Sequence, residues 1–496
     1  MRRIYAPVGF IVTLLVAVLS GPILASPAPG SQARVAWSER EQLDWFKSSA
    51  SCHVQAAVDV AKGRTFTATT RAIDTHHADI TLRTRNVRSG HLMWRRSIDL
   101  GRVDSAGDVL AIPDAGLVLV IGTNGELTRV VAPRSMVVAA YSIRGGHLRW
   151  LRELPGPDGR AAGYSLTHSS DGSVVYAAGH AFTTESTGYD PGGRPFVAAL
   201  EPATGDIAWA TTIAPASGRR DTFPGCSTES PMRAVAATDD TVLLALRVNI
   251  DDELGEQEMG IAALNAATGA LRWQRSLEGY GEGITVATDA SGSLAVLGGR
   301  SPRATVATYD VATGTLRWTS RTHFGYMLFV HVTGGGRVLA TGATHGARVW
   351  TGALSLANGR ERWERTYEDL DHNHNPQVLS TSPNERRVYV GTWRCVETAE
   401  DPGDPLGSIP LCFKDLAVLR YRVDDGRGGI WGIYDGPYRE GAELASDIAV
   451  TRRGRVVVAG ISQAGPAPNF CGRYVCRSDY DVVTVAFDER SRRRAG

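Results

Sequence analysis

Three short stretches of this 496-residue chain carry side chains that ligate ions or exchange protons. "DTHHAD" sets His76 and His77 side by side, and "DLDHNHNP" follows Asp371 with His372 and His374. Two imidazoles separated by one residue can share a metal if the loop curls. "NIDDELGEQE", from Asn249 to Glu258, groups Asp251, Asp252 and Glu253. Their oxygens suit Ca²⁺, although the Asp-x-Asp-x-Asp spacing of a dedicated calcium loop is missing. These residues define the expected sites: His76, His77, Asp371, His372 and His374 for a ligand, and Asp251, Asp252 and Glu253 for a metal. The competing reading for all of them is a solvated loop. No G-x-S-x-G, H-E-x-x-H or phosphate loop is present, so no residue is assigned a catalytic role.

The six cysteines, Cys52, Cys226, Cys395, Cys412, Cys471 and Cys476, form an even set. Residues 1–25 read as a secretory signal peptide: Arg2 and Arg3, an apolar run from Val8 to Leu19, then small residues near Ala25. That run is short for a membrane span, and no second long apolar run follows, so no stable span is expected after cleavage. An exported chain with an even cysteine count suggests disulfides. Proximity selects Cys395–Cys412 and Cys471–Cys476, which leaves Cys52–Cys226 by elimination. A zinc site is the weaker alternative because no CxxC pair occurs. The formal charge of +1 becomes −1 once Arg2 and Arg3 leave with the leader. Such a balance argues against general nucleic-acid affinity, and the basic tail at 491–496 reads as a solvated end.

What must position these residues is a repeated unit. "ATYDVATGTLRW" (Ala307–Trp318) has relatives in "AALNAATGALRW" (Ala262–Trp273) and "AALEPATGDIAW" (Ala198–Trp209). Looser copies end at Trp94, Trp150, Trp363 and Trp431. The first half alternates as a half-buried strand does, a Gly-containing turn follows, and a second strand carries the Trp. Two more strands precede each hairpin. Each unit is thus a four-stranded meander, A to D, and such sheets bury both faces only when stacked radially. The expected fold is an all-β propeller occupying residues 26–490. A Trp on each strand D packs on the next blade, worth about 3 kcal/mol.

The last unit has "YDVVTVAFD" but no turn and no Trp after it, while "ARVAWSERE" around Trp37 belongs to no hairpin. The N-terminal strand should therefore complete the last blade and remove an open strand edge. Counting Trp37, Trp94, Trp150, Trp209, Trp273, Trp318, Trp363 and Trp431 gives eight blades; seven is the alternative. The A–B and C–D connections are short, and the long ones fall at B–C and D–A, which leave a meander on the same face. Long loops on a rigid scaffold are where binding concentrates.

The phrase A-x-D-x-x-T-G-x-x-x-W resembles the repeat of pyrroloquinoline-quinone-like (PQQ-like) propellers, a group related to WD40 and YVTN repeat proteins. Asp310 stands at the Asp position, with Asn265 and Glu201 replacing it in the other two copies. The resemblance implies a propeller of the quinoprotein-dehydrogenase type, a group that also contains non-catalytic scaffolds. Its enzymes carry an adjacent Cys-Cys pair and a Ca²⁺ site; no adjacent cysteines occur here. The leading expectation is an exported, secreted or otherwise extracytoplasmic, non-catalytic propeller that binds a protein or glycan through its long-loop face and needs no cofactor. The alternative is a PQQ- and Ca²⁺-dependent dehydrogenase of alcohols or sugars.

Overall fold

The computed structural model describes residues 33–42, 56–73, 77–101, 103–125, 134–182, 193–214, 220–222, 235–251, 256–279, 281–300, 303–321, 325–344, 348–367, 378–399, 411–437, 443–463, 470–471, 474–475 and 480–489. Every regular element among them is a β-strand. They form eight antiparallel blades in chain order. Blades one to seven occupy residues 56–98, 104–154, 161–212, 220–277, 282–321, 325–367 and 378–434. Blade eight joins residues 443–489 to Ala33–Gln42.

Sequence pattern explains each strand's place. Strand B of blade two, Leu117–Asn124, is buried along its whole length, because both of its faces meet neighbouring sheets. Strand D of the same blade, Leu148–Leu154, buries only Trp150 and Leu154, as an outer strand should. The innermost strands touch in succession, and strand A of blade eight (Glu443–Val450) meets strand A of blade one (Ala56–Ala61), so the ring closes. Three aspartates tie these inner strands together. Asp447 accepts the Val58 N–H at 2.8 Å, Asp59 that of Ala111 at 2.7 Å, and Asp108 that of Leu166 at 3.0 Å.

Closure follows the expected route. Ala33–Gln42 pairs antiparallel with Tyr480–Glu489, with Trp37 opposite Ala486 and Arg34 opposite Asp488. A register shift falls between Val35 and Trp37. The C–D pair of blade four has the same irregularity beside Trp273, between Ala263 and Leu264. Trp37 is buried. The ring has eight blades, the last one built from both ends of the chain.

The tryptophans dock in a recurring way. Trp273 Nε1 donates to the Val311 carbonyl of the next blade's C–D turn at 2.8 Å. Gly314 in that turn has φ +68°, and a Cβ there would lie 2.6 Å from the Trp273 ring. Arg275, two residues after the Trp, donates Nε to the Gly314 carbonyl and Nη2 to that of Thr313, both at 3.1 Å. The pairs Trp94/Arg96, Trp150/Arg152 and Trp363/Arg365 repeat this on their own neighbours. Trp37 does the same across the chain ends, donating to the Val87 carbonyl of blade one at 3.0 Å. Trp209 and Trp318 are only half-buried, yet their indoles still bond Ala266 and Leu356.

Two features differ from a plain meander. Strand A of blade four is two pieces, Arg220–Thr222 and Val235–Ala237, both pairing with strand B. In blade seven, strands B (Arg387–Ala399) and C (Leu411–Arg422) outrun their neighbours. They carry Cys395 and Cys412 on the strands, with Cys395 opposite Lys414 and Thr398 opposite Cys412.

Candidate metal centre on the long-loop face

One group of titratable side chains stands at the B–C/D–A end of blades one and two. In blade one the B–C connection closes with the Ile73 N–H donating to the His77 carbonyl at 2.8 Å. The next residue, Ala78, makes an isolated parallel bridge with Val103. That bridge sets the start of strand C against the entry to blade two. Between strand D of blade one, which ends at Ile98, and strand A of blade two, which starts at Asp104, the chain turns tightly. The Asp99 carboxylate accepts the Gly101 N–H at 2.8 Å, and Asp104 accepts that of Leu100 at 2.6 Å. Gly101 has φ +83°, a conformation glycine adopts without a Cβ penalty.

The result is a cluster of four groups from two connections. His77 Nε2 lies 3.0 Å from Asp99 Oδ1 and 3.7 Å from Asp79 Oδ1. One ligand atom from each of His77, Asp79 and Asp99 lies within 4.8 Å of the other two. Asp99 is half exposed, whereas Asp79 is 8% and Asp104 0% exposed. Burial raises the carboxyl of Asp79 above its usual range, and the Asp99 charge adds to that; His77 and Arg71 oppose it. Burial pushes Asp104 up to about 7. Asp99 is held below its ordinary value, chiefly by its hydrogen bond with His77. Among the described residues, one oxygen of Asp79 and one of Asp104 are buried without a hydrogen-bond partner. An imidazole and carboxylates in this arrangement can ligate a cation or pass a proton. The cluster contains no nucleophile of the Ser or Cys kind.

Acidic residues recur at this end of the molecule. Glu282 and Glu443 begin strand A of blades five and eight, as Asp104 begins that of blade two, and all three are buried. Arg247 stands 3.8 Å from Glu282, and Arg394 pairs with Asp415 at 2.8 Å.

Of the residues singled out in the sequence, His77 belongs to the cluster, while His76 lies outside the described residues, as do Asp371, His372 and His374. Asp251 ends strand B of blade four, its backbone opposite Glu256; Asp252 and Glu253 lie outside the described residues. Cys52, Cys226 and Cys476 are likewise outside them, and Cys471 falls in a short hairpin, Phe470–Cys471 with Tyr474–Val475, in the B–C connection of blade eight. Pattern reading missed Asp79, Asp99 and Asp104. Asp79 was visible as the last letter of "DTHHAD". Asp99 and Asp104 carry no local signal beyond the tight "DLGRVD", because the bridge between Ala78 and Val103 is what joins the two stretches.

A second opening lies at the other end of the ring, between blades seven and eight. It is a cavity of about 670 Å³ lined in part by Arg387, Tyr389, Arg422, Arg453, Arg455 and Asp488.

Residues 257–392 match the family model PQQ_2, described as outer membrane protein assembly factor BamB. The matched stretch runs from strand C of blade four to strand B of blade seven, and it includes the two repeat copies ending at Trp273 and Trp318. The PQQ-like repeat read from the sequence is therefore met by a family model. No curated protein matches the chain. Among solved structures, the C-terminal WD40 domain of Sif2 is similar at 9% identity and TM-score 0.52, covering 92% of this chain and 99% of that one. BamB from Moraxella catarrhalis is similar at 15% identity and TM-score 0.47, covering 92% and 99%. The β-propeller domain of Cps50 (Swd1) from Myceliophteria thermophila is similar at 10% identity and TM-score 0.43, covering 76% and 95%. The Sif2 likeness agrees with the propeller fold. Among the described residues no helix is long and apolar enough to cross a membrane.

Proposed function

We propose that the protein is an exported, non-catalytic propeller that captures a protein partner on its B–C/D–A face. The observation that carries this reading is the division between the two ends of the ring. At the A–B/C–D end, tight turns are consumed in holding the blades together: the Val311, Thr313 and Gly314 carbonyls all accept bonds from the preceding blade. The other end receives the long connections, such as those from Phe182 to Gly193 and from Ala399 to Leu411. A rigid ring with variable loops at one end suits recognition. A protein is favoured over a glycan because the matched family model describes an assembly factor for proteins. The apolar leader and the even cysteine set support export, and Cys395–Cys412, Cys471–Cys476 and Cys52–Cys226 remain the proposed bridges.

Photo-crosslinking tests the reading. A crosslinking amino acid at Asp99 should yield protein adducts in the native host compartment, and one at Thr313 or Asn358, in C–D turns, should not. Adducts confined to the turn positions, or saturable binding on a glycan array with no protein adduct, would overturn it. Reconstitution with PQQ and Ca²⁺ tests the dehydrogenase alternative: dye reduction on alcohols or sugars would replace the binding reading.

A further inference from the structure

The cluster of His77, Asp79, Asp99 and Asp104 asks for a positive charge that the fold does not fully supply. Two carboxylates, those of Asp79 and Asp99, face one imidazole, and the carboxyl of Asp104 is buried at the start of the next strand. Arg71 is the cation that acts on Asp79 besides His77. Burying carboxylates without compensation is costly, so such groups are normally paired, protonated or bound to metal. Asp79 Oδ1 has no hydrogen-bond partner, and it is the atom 3.7 Å from His77 Nε2.

The distances identify the class of ion. Around a tetrahedral Zn²⁺ with nitrogen and oxygen ligands at about 2.0–2.1 Å, neighbouring ligand atoms sit about 3.3 Å apart. The separations from His77 Nε2, 3.0 Å to Asp99 and 3.7 Å to Asp79, bracket that value. Ca²⁺ and Mg²⁺ prefer six or more oxygens and take imidazole poorly. From this geometry we infer that His77 Nε2, Asp79 Oδ1 and Asp99 Oδ1 form a three-ligand site for a zinc-like divalent ion.

Asp104 is a positioning residue. It holds the Leu100 N–H and so fixes the turn that presents Asp99. Because Asp99 is half exposed, the fourth position of the ion is reachable from solvent and open to water or to a donor from a bound partner. Three protein ligands with an open fourth position differ from the closed four-ligand pattern of structural zinc. Ion binding here is independent of partner capture: it is measured on the isolated chain.

The test is calorimetric titration of ZnCl₂ into chelator-stripped full-length protein, with CaCl₂ in parallel and thermal unfolding as a second readout. One saturable Zn²⁺ site is expected, with a rise in Tm. His77→Ala and Asp99→Ala, both at partly exposed positions that leave the blade core intact, should each abolish that site and the Tm rise. Asp79→Asn should abolish the site while keeping the fold. Absence of saturable Zn²⁺ binding, Zn²⁺ binding unchanged in His77→Ala and Asp99→Ala, or Ca²⁺ occupying the site in preference to Zn²⁺ would each overturn the inference.

Discussion

Seven of the eight blade junctions and the one between blades seven and eight solve the same packing problem with different parts. At the seven, a Trp on strand D meets an intact C–D turn of the next blade and donates its indole N–H to a turn carbonyl. Blade eight has no such turn, because its strands C and D come from opposite ends of the chain. Trp431 is buried, yet its Nε1 has no acceptor among the described residues. Side chains fill the role of the missing turn. Trp431 packs on Tyr389 and Phe487 at ring separations of 5.3 and 6.2 Å, and the Arg420 guanidinium lies 5.2 Å from its ring. Arg420 of blade seven pairs with Glu489 of blade eight at 2.5 Å. The open space left at this end is the arginine-lined cavity. The C–D turn is thus a docking part as well as a connection. Ile433 stands two residues after Trp431, but the Arg of the Trp-x-Arg pairs is also replaced at three intact junctions, by Glu39, Thr211 and Ser320, so the indole bond to the turn is the feature that the seam alone lacks among the described junctions.

The largest effect should come from removing the split blade's own anchor. Trp37→Ala should cost about 3–5 kcal/mol, as large-to-small changes of buried aromatics do, and should match Trp273→Ala in chemical denaturation. A loss within the scatter of surface substitutions would break the equivalence between the split blade and the intact ones. Next, Gly314→Ala places a Cβ against Trp273 at positive φ and should cost about 1–3 kcal/mol. The seam offers no equivalent position, so its stability is set by side chains instead.

The seam should also be pH-sensitive, as should the entry to blade two, where burial pushes Asp104 up to about 7. Glu443 of blade eight is buried against blade seven, accepting from Ser462 and the Gly436 N–H with Asp415 nearby, and burial pushes it up to about 7. A carboxyl raised in the folded state stabilises most below its unfolded value, and that contribution is lost as pH rises through about 7. Stability should fall by about 1–1.5 kcal/mol between about pH 6 and about pH 8 from this group, and Glu443→Gln should flatten that fall in parallel denaturation curves. The smallest effect sharpens the contrast most. Trp273→Phe leaves the Val311 carbonyl without its donor and should cost about 1 kcal/mol more than Trp431→Phe, which breaks no indole hydrogen bond. Equal losses would show that the seam has an acceptor after all.

Much of this architecture was legible because it repeats. The Ala-x-Asp, Gly turn and Trp recur at matching positions, and the lone Trp37 with the unfinished "VVTVAFD" pointed to each other across almost the whole chain. The Trp-x-Arg pairs, as in "WRRS" and "WQRS", were equally visible and carry a clear role once the turn carbonyls are located. The inter-blade aspartates Asp59, Asp108 and Asp447 were harder to read: an acid inside an apolar strand looks like an exception until the neighbouring blade's N–H is seen. The cluster around His77 was legible only in part, since Asp99 and Asp104 reach it through a backbone bridge that no local pattern announces. A pair of histidines in sequence drew attention to the right loop without naming the partners that give one of them its chemistry.

Closure of the ring requires residues 33–42 to be a working strand of blade eight. Hydrogen exchange on the full-length protein measures this directly. Amides in Ala33–Gln42 that bond to Tyr480–Glu489 should exchange as slowly as those of Leu271–Leu277, the matching strand of an intact blade. In Trp37→Ala both Ala33–Gln42 and Tyr480–Glu489 should lose protection together. Exchange of Ala33–Gln42 at the rate of an unstructured chain in the native protein, with Tyr480–Glu489 still protected, would contradict the closure.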